Sequence, residues 1–159
     1  YVYISAASVS FNEDDLNKLL QKSRTNNRVL GITGLLLYAD GNFIQVLEGE
    51  PQNLEIVLSK IRRDHRHSKI IKLLSKEIET RNFPDWDMGY RRLSARSLTS
   101  MPDLSSVLAY EDVPSQMLAN VSRQIWLLLL SFTRTTDRNY TIRSATPLDA
   151  LQSLPIFAV

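Results

Sequence analysis

The chain has 159 residues, 43% of them hydrophobic, and no cysteine, enough for one ordinary hydrophobic core and incompatible with disulfide scaffolds, thiolate metal sites or a cysteine nucleophile. Nineteen basic residues against seventeen acidic ones leave a formal net charge of +2, too balanced to mark a nucleic-acid footprint. Neither a signal peptide nor an apolar span of about 18 residues is present, so a soluble, cytoplasmic protein without a membrane partner is expected.

Val2-Tyr3-Ile4-Ser5 reads as a short strand, with Tyr3 on the side opposite Val2 and Ile4. Ser10 to Glu13 has capping-box spacing, and Leu16, Leu19, Leu20 and Ser23 follow at helical intervals. A helix over about 11–25 is predicted, ending at Asn26-Asn27. Two adjacent amides at that point can be a helix C-cap. The run from Ile32 to Ala39 has almost no polar residue and reads as a strand buried on both faces. Asp40-Gly41 turns it back into a second strand, in which Phe43, Gln45 and Leu47 share one face and Ile44, Val46 and Glu48 the other. Gln45 is thus a lone amide in an apolar sheet. Leaving it unpaired would cost roughly 1–3 kcal/mol, so it needs a partner in the protein or in a ligand.

Glu50-Pro51 opens a second helix, with Leu54, Val57, Leu58 and Ile61 as its apolar stripe. Its end is dense in charge, from Lys60, Arg62 and Arg63 through Asp64, His65, Arg66 and His67. That density fits a solvated helix end or a site for a phosphate-bearing ligand, while two histidines alone make a poor metal site. Ile70 to Leu74 reads as a fourth strand, and Phe83 to Tyr90 as a turn feeding a fifth in which Trp86, Met88 and Tyr90 share a face. The order strand, helix, strand, strand, helix, strand, strand predicts a ferredoxin-like α+β sandwich with two helices on one sheet face. Beyond 93 comes a Ser/Pro-containing stretch, 94–106. Residues 114–132 read as a helix with Met117, Leu118, Val121, Ile125, Leu128, Leu129 and Phe132 on one stripe, widened by Trp126, Leu127 and Leu130. This C-terminal extension is expected to cover the other sheet face, and its surplus apolar surface fits either deep packing or an oligomer or partner contact. Residues 133–145 are polar and read as a loop, and 147–159 as a weakly specified tail.

Six blocks together resemble the BLUF family of blue-light sensors using flavin: Val2-Tyr3-Ile4-Ser5, Asn26-Asn27, Gly31 to Leu36, Phe43 to Glu50, Asp64 to His67, and Phe83 to Met88. The resemblance covers about residues 1–93, which makes 1–93 a flavin-binding core and 94–159 a helical extension. It implies FAD, with FMN or riboflavin as alternatives, held without a covalent bond between the two helices. Tyr3 and Gln45 then correspond to the photoactive pair. Asn27, with Asn26 beside it, matches a contact to the ring's carbonyl and N3 edge; Arg66 and His67 match ring-flanking and pyrimidine-edge contacts; Asp64 matches a ribityl contact and Ser23 a supporting serine. Lys60, Arg62 and Arg63 all offer charge for the phosphates.

The mechanism so implied is proton-coupled electron transfer from Tyr3 with Gln45 as relay, which rearranges the hydrogen bonds at flavin N5 and O4. Trp86 and Met88 match the family's signal relay from the sheet to the C-terminal helices and on to a downstream protein. The expectation is a sensor rather than an enzyme, and a homo-oligomer. The competing readings are a light-inactive interaction module and a small flavin-dependent enzyme on the same fold. No nucleophile with a base converges here, and no dinucleotide-binding glycine motif is present.

Overall fold

The computed structural model describes residues 1–93 and 121–137. They form β1 (Val2–Ala7), α1 (Glu13–Val29), β2 (Thr33–Ala39), β3 (Asn42–Glu48), α2 (Pro51–Arg63), β4 (His67–Leu74), β5 (Gly89–Leu93) and α3 (Arg123–Asp137). The strands make one mixed sheet in the order β4-β1-β3-β2-β5. β5 joins parallel to β2, whereas the other pairs are antiparallel. This is the expected ferredoxin-like arrangement.

Alternation divides the sheet into two faces. Tyr3, Leu36, Phe43 and Leu47 pack under α1 and α2 with Leu16, Leu19, Leu20, Val57 and Leu58. Val2, Ile4, Leu35, Leu37, Ile44 and Val46 form the opposite layer, where Ile125, Leu129 and Phe132 of α3 close over them. The hairpin turns on Asp40 and Gly41, both left-handed (φ 45° and 79°), as a two-residue turn between twisted strands requires. Every residue of β2 and β3 is buried.

Several boundaries differ from the sequence reading. The cap of α1 is Asn12, which accepts from the Asp15 amide at 2.9 Å, not Ser10. Phe11 is committed elsewhere, packed edge-on against Tyr38 and Phe43 with ring centroids 6.0 and 5.5 Å away. Asn26 and Asn27 lie inside α1 rather than capping it. The helix runs on to Val29, and Gly31 (φ 60°) supplies the left-handed residue that ends it. Trp86 and Met88 do not share a strand face. Residues before Gly89 form turns, with Trp86 N donating to Phe83 O at 3.4 Å, so period-2 alternation does not apply. Trp86 stacks on Phe83 in the α3 layer, while Met88 enters the α1–α2 layer.

α3 starts at Arg123 and continues through Asp137, into the stretch expected to be a loop. Thr133 is tolerated in it because its hydroxyl donates to the Leu130 carbonyl at 2.8 Å. Of the surplus apolar residues, Trp126 and Leu130 also pack on the sheet, and Leu127 stays 44% exposed. The stretch 94–106, the expected helix up to 120 with Met117 and Leu118, and the loop and tail from 138 onward lie outside the described residues.

Candidate functional site

Between α1 and α2, above β2 and β3, lies a cleft of about 750 Å3. Its apolar lining is Leu19 from α1, Leu36 from β2, and Val57 and Ile61 from α2. Its polar lining is Ser23, Asn26 and Asn27 from α1, Gln45 from β3, and Asp64, Arg66 and His67 from the end of α2 and the start of β4. Residues up to 48 positions apart (19 to 67) are thereby brought to one surface. The six expected cofactor contacts, Ser23, Asn26, Asn27, Asp64, Arg66 and His67, all line it, as does Gln45.

Gln45 owes its place to alternation along β3, which turns it with Phe43 and Leu47 toward the helices. Directly opposite, across the β1–β3 ladder, stands Tyr3. The Tyr3 hydroxyl donates to Gln45 Oε1, and Tyr3 is wholly buried. Burial pushes its phenol far above the ordinary tyrosine value, so it is protonated. Gln45 Nε2 donates in turn to Met88 Sδ at 3.3 Å. The lone amide of the sequence thus has partners on both sides, one from β1 and one from the segment entering β5.

That segment is fastened to α1. Asn27 Nδ2 donates to the Asp87 carbonyl at 2.7 Å, Arg24 Nε to the Met88 carbonyl at 3.0 Å, and Arg28 Nε to the Asp87 carboxylate at 2.8 Å. From the sheet, Gly34 N donates to the Trp86 carbonyl at 2.8 Å. Arg24 and Arg28 were not singled out in the sequence. The available signal was their position on the α1 face that also carries Leu20, and with it they border a second recess of about 680 Å3 beside Trp86 and Met88. Trp86 does not line the main cleft.

At the α2 end of the cleft, Asp64 and Arg66 form a close pair, with Nη2 to Oδ2 2.5 Å and Nε to Oδ1 2.9 Å. The Arg66 guanidinium draws the Asp64 carboxyl down to about 2. His67 opens β4; its ring lies 4.8 Å from that of Phe43 and its Nδ1 is 2.9 Å from Ser5 Oγ. Burial pushes its pKa below the ordinary histidine value, leaving a neutral ring. Of the three basic candidates on α2, Lys60 and Arg63 line the cleft, joined by Lys22 from α1. Arg62 does not line it and instead pairs with Glu55 at 2.6 Å.

The donor set suits a heteroaromatic ligand whose edge alternates acceptors with a donor, because carboxamides carry both functions. An apolar lining with convergent amides and cations at one end fits a flavin and its phosphate-bearing tail.

The family model described as BLUF, sensors of blue-light using FAD, matches residues 1–89. Photoactivated adenylate cyclase subunit beta from Euglena longa is 32% identical over 108 residues, 67% of this chain and 12% of that protein. The alpha subunit from Euglena gracilis is 28% identical over 109 residues, 67% of this chain and 10% of its own length. The chain therefore spans about a tenth of these curated relatives. Among solved structures, Klebsiella pneumoniae BlrP1 with FMN and cyclic diGMP superposes with a TM-score of 0.66 at 30% identity, covering 86% of this chain and 34% of that one. BlrB, a BLUF protein in its dark state, gives 0.58 at 26% identity, covering 87% and 93%.

Proposed function

Because the chain belongs to the BLUF family, sensors of blue light using FAD, we propose that it is a blue-light photoreceptor whose flavin lies in the α1–α2 cleft and whose photoactive pair is Tyr3 and Gln45. The observation that carries this reading is the buried Tyr3–Gln45 hydrogen bond at the cleft wall. When bound, flavin supplies the blue absorption band and an excited state that withdraws an electron. Tyr3 is the donor, and its O–H already points at Gln45 Oε1, so its proton has an acceptor as the electron leaves. With electron and proton both returned, Tyr3 would be restored and no net redox change would remain.

Gln45 is the group that ends in a different arrangement. An amide that turns over exchanges its oxygen for its nitrogen, so a partner that met an acceptor now meets a donor. The surrounding sheet excludes water, which makes each such hydrogen bond strong and the exchanged network slow to revert. Met88 Sδ is the protein group that this turn displaces, which makes Met88 the nearer relay and Trp86 a secondary one in the α3 layer.

Asn27 spends one amide hydrogen on Asp87, leaving its Oδ1 and second hydrogen for a ligand edge with one donor and one acceptor. Asn26 and Ser23 support that edge, and Asp64 and Arg66 the ribityl side. Lys22, Lys60 and Arg63 supply charge for the phosphates that distinguish FAD or FMN from riboflavin. The reading is of a sensor that passes its signal on to a downstream protein. The outer side of α3, with Leu127 exposed, is where the signal meets that protein or a second copy of the chain.

The absorption spectrum in darkness, after a blue pulse and during recovery tests the proposal. A flavin band that shifts slightly to the red and returns is expected. Tyr3→Phe should bind flavin and show no shifted state; a normal shift in that variant defeats the assignment of the pair.

A further inference from the structure

β1 carries two wholly buried hydroxyls on the face that looks toward the helices, Tyr3 and, two residues on, Ser5. Tyr3 stands opposite Gln45 and Ser5 opposite Phe43. On the other side of β1 the ladder with β4 slips between Ile4 and Ala6, where Lys69 takes a left-handed φ of 49°. Such a bulge re-aims the side chains beside it. Here His67 lies over Phe43, with Nδ1 2.9 Å from Ser5 Oγ.

A neutral imidazole has one donor nitrogen and one acceptor, and the bond at one nitrogen fixes the role of the other. Among the described residues, His67 Nδ1 is the partner within hydrogen-bond distance of Ser5 Oγ. If Nδ1–H donated to Oγ, the Ser5 hydroxyl proton would need a second acceptor in a site with no solvent. If Ser5 O–H donates to Nδ1, that proton is satisfied, and only spare lone pairs on Oγ go unused, the cheaper defect. The ring then carries its hydrogen on Nε2, the nitrogen left to the cleft that His67 lines.

We infer that Ser5 is a positioning residue that fixes His67 as an Nε2–H donor toward the cleft, so that this end of the site selects a hydrogen-bond acceptor on the ligand. Tyr3 and Ser5 thereby act alike, each standing behind one polar group of the cleft and setting which atom it offers. The inference rests on the flavin reading of the cleft, where the acceptor is a carbonyl oxygen or unprotonated nitrogen of the pyrimidine ring.

The test is nitrogen NMR of histidine-labelled, flavin-loaded protein, with flavin affinity measured alongside and thermal melting as a control. Wild type should show His67 as the Nε2–H tautomer. Ser5→Ala should give mixed tautomers and weaken flavin binding by roughly 3- to 10-fold, the range expected for one hydrogen bond, while Ser5→Thr should restore both. A wild-type Nδ1–H tautomer, or a tautomer or affinity unchanged in Ser5→Ala, overturns the inference. A wild-type chain that takes up no flavin defeats the functional reading instead, and the tautomers in the two proteins still decide what Ser5 does.

Discussion

Asp64 is the residue whose charge state is most tightly set by a neighbour. Its folded value of about 2 lies below the ordinary 3.8, so between those values the unfolded chain binds the proton first. The stability it contributes is therefore complete above about pH 4 and lost as the pH falls through 3.8 toward 2. Asp64→Asn should flatten the melting temperature against pH across that window, measured by circular dichroism, and lower it at neutral pH, where the contribution of the Asp64–Arg66 pair is fully present. At this scale the sequence was most legible for the ligand-lining set: Ser23, Asn26, Asn27, Gln45, Asp64, Arg66 and His67 all reach one cleft. Such residues announce themselves because a polar group on an apolar face needs a partner. Ser5 and Arg24 gave no comparable signal. A serine in a strand has many bland accounts, and an arginine on a helix looks solvated until its partner, the Met88 carbonyl, is located 64 residues away.

Among the elements, the segment joining β4 to β5 was read least well. Its residue pattern predicts a turn entering a strand early enough to put Trp86 and Met88 on one face, but its course is set by long-range bonds that no local pattern encodes. Midway along it, the buried Glu48 carboxylate accepts from the backbone amides of Asn82 and Phe83 at 2.9 and 3.0 Å, and from Asn82 Nδ2 at 2.5 Å. Asn82 Oδ1 accepts from Ser122 N at 2.6 Å, just ahead of α3. One asparagine thus joins the end of β3 to the start of α3. Asn82→Ala should lower stability by about 1–3 kcal/mol, because it removes one bond from a buried carboxylate and strands the Ser122 amide. Asn82→Asp should cost more, since it sets a second carboxyl against Glu48. Denaturant midpoints of the two variants check both the size and the order. The helices and the hairpin were legible because their signals are local: Pro51 at a first turn, Asp40-Gly41 between two apolar runs, and stripes at helical spacing.

For the whole molecule, the sequence predicted the order of elements and two covered sheet faces, and the structure adds which strands are central. β3 is hydrogen-bonded along both sides, to β1 and β2, whereas β4 and β5 form the rims. Freeing an amide in the middle of such a sheet requires breaking ladders on two flanks, so its opening free energy approaches that of unfolding the whole unit. Deuterium should therefore enter the amides of Ile44 to Val46 last, with those of β4 and β5 exchanging well before them, and mass spectrometry or NMR can order the strands. Uniform exchange across the five would contradict it. The strand that carries Gln45 is thus the one least free to shift its backbone, which, on the proposed mechanism, confines the event of light capture to a side chain turning on a fixed rail.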